Sequence, residues 1–234
     1  MVSFRIGQQN SKISVYDALG QDAQDVPSFV CHIGMSSKNV EANGQQVVLA
    51  KMVEMCPPLV VPVIDEEPDP ESDRVDVVGS IELTAAESKQ IATFVEEIEE
   101  ELKSVPENLQ YTVHPHFRDR TEPDSARRYS CVGFVQQAYE YADIDLVDIE
   151  SLPNVELETI LPAYPDRREV LLHRRARSFV GLKGDGPWPV LLPGYVFHAM
   201  NRSSLECRST PYKAQAGDEC FPRRDTEQPA NADS

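Results

Sequence analysis

The sequence predicts an α+β domain, because strand-like runs dominate the first third of the chain and capped amphipathic helices follow them. Apolar runs of strand length, bounded by turn residues, occur repeatedly between residues 29 and 83. Two helix starts come next, at Thr84 and at Ser130, and both residues have side chains suited to capping. The 234 residues are enough for one domain with a real hydrophobic core.

The strands are predicted from short apolar runs and from the turn residues between them. We expect a strand or two in residues 1–25. Asn43-Gly44 is a typical hairpin turn. Residues 65–76 begin with an acidic, proline-rich run that predicts an exposed loop. The four further predicted strands span residues 29–35, 47–55, 59–64 and 75–83.

The first helix begins at a capping box, Thr84-Ala85-Ala86-Glu87, in which each end residue can bond the backbone of the other. Pro106 predicts its end. Its buried stripe is predicted to consist of Ile91, Phe94, Val95, Ile98 and Leu102.

The second helix carries a cysteine in its first turn. Ser130 is the predicted N-cap, and Val132, Val135, Ala138 or Tyr139, and Ala142 then recur at helical spacing. Cys131 lies where the helix dipole is positive, which favours the reactive thiolate. The alternative is that Cys131 is a small core residue.

Two motifs resemble those of the NlpC/P60 cysteine peptidases, which have a papain-like fold. Cys131-Val132-Gly133-Phe134-Val135 is similar to the nucleophile-bearing run, usually Cys-Ser-Gly-Phe-Val and often preceded by Asp, where this chain has Ser130. His32-Ile33-Gly34-Met35 is similar to the strand of the catalytic histidine. Because His32 precedes Cys131, the order resembles the circularly permuted branch, with its YiiX-like and lecithin:retinol-acyltransferase-like members.

The resemblance implies a circularly permuted papain-like core, in which an antiparallel sheet packs against the nucleophile helix. Cys131 is then the nucleophile and His32 the base; otherwise His32 is a satisfied core histidine. Glu54 is the candidate to orient His32, with Glu41 as the other possibility and Ala50 at the family's own position. Glu54 can equally be a solvated charge at a strand end.

Other polar residues offer alternatives around this site. Leu192-Pro193-Gly194 resembles the family's Pro-Gly-Asp turn, which makes His198 a rival base. His114-Pro115-His116 is predicted to line the substrate site rather than to bind a metal. Tyr111 fits a tyrosine-containing loop of the permuted branch. A basic cluster can hold an anionic substrate group or pair with the acidic surface; its members are Arg167, Arg168, Arg174, Arg175 and Arg177.

Charge and cysteine content restrict the partners and the compartment. The net charge of −17 argues against nucleic acid or an anionic membrane as the main partner. No apolar run approaches a membrane span and no signal-peptide pattern begins the chain, so we expect a cytoplasmic protein. The five cysteines form no disulfide pattern; Cys207 and Cys220 can pair, but a reduced state is simpler.

Together these features predict one domain over residues 1–203 and a polar, disordered tail over 204–234. We expect a thiol-dependent hydrolase or acyltransferase that acts on an amide or ester of a small molecule, peptide or lipid, without a cofactor or a metal. The alternatives are an inactive papain-fold binding module and an acidic interaction domain with a basic partner.

Overall fold

The structure is a computed structural model that describes residues 81, 83–104, 109–115, 117–118, 127–164 and 167–220, together with six short strands nearer the N-terminus. The strands are β1 Arg5–Ile6, β2 Val15–Asp17, β3 Ser28–Val30, β4 Met35–Ser36, β5 Met52–Val53, β6 Gly79–Ser80, β7 Leu109–Tyr111, β8 Phe117–Arg118 and β9 Arg127–Tyr129. The α-helices are α1 Ala85–Ser104, α2 Cys131–Glu140, α3 Leu157–Ala163, α4 Arg168–Leu172, α5 Arg174–Arg177, α6 Pro193–Met200 and α7 Ser204–Ser209.

This arrangement confirms the predicted α+β class. The first six strands form a four-stranded antiparallel sheet of order β5-β4-β1-β6 and an antiparallel β2–β3 pair. The predicted 29–35 strand is divided between β3 and β4, and β5 and β6 lie within the predicted 47–55 and 75–83 strands. The 59–64 strand, the Asn43-Gly44 turn and the 65–76 loop lie outside the described residues.

The core is built by α1, α2 and α6, with α2 in contact with both of the others. The predicted cap of α1 is confirmed, since the Thr84 backbone N–H donates to Glu87 Oε2 over 2.6 Å and the Glu87 N–H donates to Thr84 Oγ1 over 3.3 Å. Four residues of its predicted stripe are buried: Ile91, Phe94, Val95 and Ile98. Leu102 lies outside the described side chains.

The sheet beside α2 differs from the expected antiparallel one. It has three strands in the order β7-β9-β8, and β9 pairs in parallel with β7 and antiparallel with β8. The chain passes from β7 to β8 and returns as β9 between them, and this path makes the sheet mixed. Both β8 and β9 contact α2.

The C-terminal part differs from the predicted tail, because residues 204–220 belong to the folded domain. Ser203 and Glu206 form a complete capping box that starts α7, and Cys207 is buried. Tyr212 forms a bridge with Val147, so this polar segment is tied to the core by backbone bonds and a few apolar contacts. Residues 221–234 lie outside the described residues. Within the described residues, no helix combines the length and apolar character needed to cross a membrane.

Glu87 also links α1 to α7, because Arg208 donates to both of its carboxylate oxygens. The hydrogen bond from Arg208 is the main reason that the pKa of Glu87 is lowered from 4.5 to about 2. Because the folded-state pKa is depressed, the stabilisation is complete above pH ~4.5 and is lost as the pH falls towards 2.

We therefore expect Glu87→Gln to lower the free energy of unfolding by about 1 kcal/mol at pH 7, since the charge is lost while the amide preserves the capping box. Urea unfolding at pH 7 and at pH 3 measures the effect, which should shrink at the lower pH. Glu96→Gln, at an exposed position of α1, is the control and should change little. An equal loss at both pH values would contradict the linkage.

Candidate functional site

Cys131 is the first residue of α2, and its side chain is only 1% exposed. The predicted N-cap is confirmed, because the backbone N–H of Gly133 donates to Ser130 Oγ over 3.0 Å. The first-turn N–H groups of a helix have no acceptor within the helix, so they are suited to bind a negative charge. The thiol therefore lies beside backbone donors and under a layer of other residues.

Tyr164, the residue immediately after α3, is buried near Cys131 and Ser130. Its hydroxyl donates to the carbonyl of Leu191 over 3.1 Å. Burial, and next the negative charge of a Cys131 thiolate, raise the pKa of Tyr164 well above its ordinary value, and a hydrogen bond with Ser130 opposes the rise. Sequence reasoning missed Tyr164, because no local pattern connects it with a helix that begins over thirty residues earlier.

Strand β3 contacts two helices that flank Tyr164 and Leu191. These are α3, which ends beside Tyr164, and α6, which begins just after Leu191. Helix α6 in turn contacts α2. The strand that precedes His32 by two residues thus shares its packing partners with the helix of Cys131.

The structure does not describe the other predicted members of the site. His32, Glu54, Glu41 and Ala50 all lie outside the described residues, and so does His116. The pairing of Cys131 with His32 and the choice of orienting residue stay predictions.

The rival base His198 lies within α6, where the family resemblance predicts a turn. Pro193 starts this helix because a proline at the first position loses no helical hydrogen bond. The ring of His198 stacks on Tyr212 with centroids 6.3 Å apart, and Nε2 lies 3.2 Å from the carbonyl oxygen of Cys220. Its described contacts are therefore with the C-terminal segment rather than with Cys131.

His114 and Pro115 line a cleft of ≈ 270 Å³, and a role of this loop in lining a substrate site stays a prediction. The other described lining residues are Thr112, Arg128, Ser178, Gly181 and Lys183. Burial lowers the pKa of His114, and a hydrogen bond to the carbonyl of Pro189 partly offsets this effect. The sequence did not single out the other five, because they come from three stretches of the chain: Thr112, Arg128 and residues 178–183.

The predicted basic cluster is partly neutralised within the fold. Arg174 and Arg177 both bind Asp185, over 3.0 and 3.4 Å. Arg177 is buried, and its guanidinium lies 5.3 Å from the ring centroid of Trp188. Arg167 lies over the ring of Tyr111, the last residue of β7, at 5.4 Å. For Arg174 and Arg177 the structure thus favours pairing with an acidic residue over binding a substrate.

The three described cysteines are free thiols, and two of them have an unreactive environment. Burial is the main cause that raises the pKa of Cys207. Burial, followed by the Glu219 carboxylate, raises the pKa of Cys220 to about 11. In the described part of the chain, no three His, Cys, Asp or Glu side chains are grouped so that they could hold a metal ion.

Comparisons with protein-family models, with curated proteins and with solved structures found no match to this chain. The class that fold and site define is therefore an α+β domain with a buried cysteine at a helix start.

Proposed function

We propose that this domain is a thiol-dependent hydrolase or acyltransferase with a circularly permuted, papain-like core of the NlpC/P60 type. Cys131 is its nucleophile and His32 its general base. The observation that carries the proposal is that β3 contacts α3 and α6, and that α6 in turn contacts α2, the helix that begins at Cys131. These shared packing partners support the pairing of His32 with Cys131.

In the proposed reaction, His32 accepts the proton of the Cys131 thiol, and the thiolate attacks the carbonyl carbon of an amide or ester. The backbone N–H of Cys131 donates to the oxyanion that forms. The carbon–heteroatom bond then breaks, the leaving group takes the proton from His32, and a thioester remains on Cys131. Water or an acceptor hydroxyl or amine attacks the thioester and returns the proton to the thiol. Glu54 or Glu41 orients His32.

A second candidate, a binding module without catalytic activity, is favoured by the burial of Cys131. At 1% exposure, the sulfur has no room for a carbonyl group unless the residues that cover it move. Val132, in place of the family's usual serine, also fits a site that has lost its chemistry. In this candidate the thiol is simply a small apolar member of the core.

Alkylation with iodoacetamide at pH 7 distinguishes the two candidates. If the proposal is correct, mass spectrometry should find Cys131 modified at least about tenfold faster than each of the other four cysteines. Cys220 is the internal reference, because with a pKa of about 11 only about 1 in 10,000 of its thiols is ionised at pH 7. Slow modification of Cys131, complete only after unfolding, would identify a core thiol and reject the enzyme.

The role of His32 is tested by His32→Asn, with His173→Asn as its matched control. His173 is exposed and its ring accepts from the backbone N–H of Ala176, an N-cap role that asparagine can fill. We expect His32→Asn to slow the alkylation of Cys131 about tenfold or more and His173→Asn to leave the rate unchanged. An unchanged alkylation rate in His32→Asn would show that His32 does not activate Cys131. The cytoplasmic location and the amide or ester substrate stay predictions.

A further inference from the structure

The cleft beside His114 has walls that are held rigidly together. The carbonyl of Val180 accepts from the backbone N–H groups of Val113 and His114, over 2.9 and 3.0 Å, and from Thr112 Oγ1 over 3.2 Å. Gly181 lies directly against the backbone carbonyl of His114. The two backbone hydrogen bonds fix the segments relative to each other, and the Thr112 hydroxyl shares its one proton between this carbonyl and that of His114, so the cleft is formed before any ligand arrives.

The charged side chains among the described lining residues of the cleft are both cations, in a chain whose net charge is −17. Arg128 and Lys183 both line it, and within the described part of the chain neither side chain makes a hydrogen bond or ion pair. Nearby cations are paired. Arg127 lies 3.6 Å from Glu101, and Asp185 binds Arg174 and Arg177. Two unpaired cations in a preformed cleft attract an anion.

The register of the sheet adds a third basic residue next to Arg128. Its Cα partner across the antiparallel β8–β9 pair is Arg118.

The hydroxyl groups of the cleft are already committed as donors. Thr112 Oγ1 has its one proton within reach of the carbonyls of His114 and Val180, and Ser178 Oγ donates to the carbonyl of Arg175 over 2.7 Å. Burial lowers the pKa of His114, which favours its uncharged imidazole. Recognition of an anion therefore depends on the guanidinium of Arg128 and the ammonium of Lys183.

We propose that this cleft is a binding site for the oxyanion group, carboxylate or phosphate, of a small ligand. Arg128 offers the planar pair of donors that matches either group, and Lys183 adds a mobile point charge. The volume of ≈ 270 Å³ suits a small ligand rather than a long chain. The site depends only on this geometry and remains whether or not Cys131 is a nucleophile.

Calorimetric titration of the full chain with inorganic phosphate, and separately with acetate, tests the site at low ionic strength. We expect at least one of the two anions to bind, and Arg128→Gln to weaken its affinity about tenfold or more. Arg175→Gln is the matched control: it removes the same charge at an exposed position outside the cleft and should change the affinity less than about twofold.

Lys183→Gln, at an exposed position, gives a second variant whose fold is not at risk and should also weaken binding. Binding of phosphate alone, or of acetate alone, supports the site and identifies the group that it recognises. The proposal is overturned if neither anion binds at about 50 mM. It is also overturned if Arg175→Gln weakens binding as much as the cleft variants do, since general charge would then explain the affinity.

Discussion

Replacing Gly181 with alanine is expected to destabilise the domain by about 3 kcal/mol. Gly181 has φ of +93°, a conformation that side chains with a Cβ atom rarely adopt. A Cβ at this position would also collide with the backbone carbonyl of His114. The left-handed conformation contributes about 1–2 kcal/mol and the forced separation of the two segments the remainder. Urea unfolding followed by circular dichroism measures the loss.

Gly184→Ala is the matched control for this effect. Gly184 has φ of +77°, but apart from Gly184 and its two chain neighbours no described residue has an atom within 4 Å of the position that its Cβ would take. We expect this variant to lose only the conformational contribution, about 1–2 kcal/mol. Equal losses of unfolding free energy in the two variants would show that His114 and Gly181 are not in close contact. That result would contradict the rigid connection between the walls of the cleft.

Phe94→Ala is expected to lower the free energy of unfolding by about 4 kcal/mol. Phe94 is fully buried, and its ring centroid lies 5.4 Å from that of Phe134 and 6.2 Å from that of Tyr129. The ring thus joins α1 to α2 and β9, and its removal leaves a cavity at the centre of the core. Because domains of this size are commonly stable by only about 5–15 kcal/mol, the variant should be marginally folded at 37 °C.

Phe179→Ala is the control for Phe94→Ala, since Phe179 is 78% exposed. The same chemical change at that surface position should alter the free energy of unfolding by less than about 0.5 kcal/mol. Chemical denaturation of both variants at pH 7 gives the comparison. A loss below about 1.5 kcal/mol in Phe94→Ala would contradict the position of this ring in the core.

The candidate site was only partly accessible to sequence reasoning. The pattern around Cys131 predicted a capped helix start, and that is where the structure has the thiol. It left open whether the thiol is reactive or a core residue, and it did not predict that Tyr164 would lie near it, because burial depends on elements that approach from elsewhere. The basic cluster shows the same limit: its composition suggested a binding surface, whereas the fold neutralises two of its members with Asp185.

The sequence by itself determined the features of this protein that depend on neighbours along the chain. The capping box at Thr84, the N-cap at Ser130 and the apolar stripes of α1 and α2 follow from local hydrogen bonds and from the helical period. Only the tertiary structure decided the mixed pairing of β9, the ordered segment after Ser203 and the cleft between His114 and Gly181. These depend on contacts between distant segments, whose energies are set by packing and backbone pairing that no local pattern records.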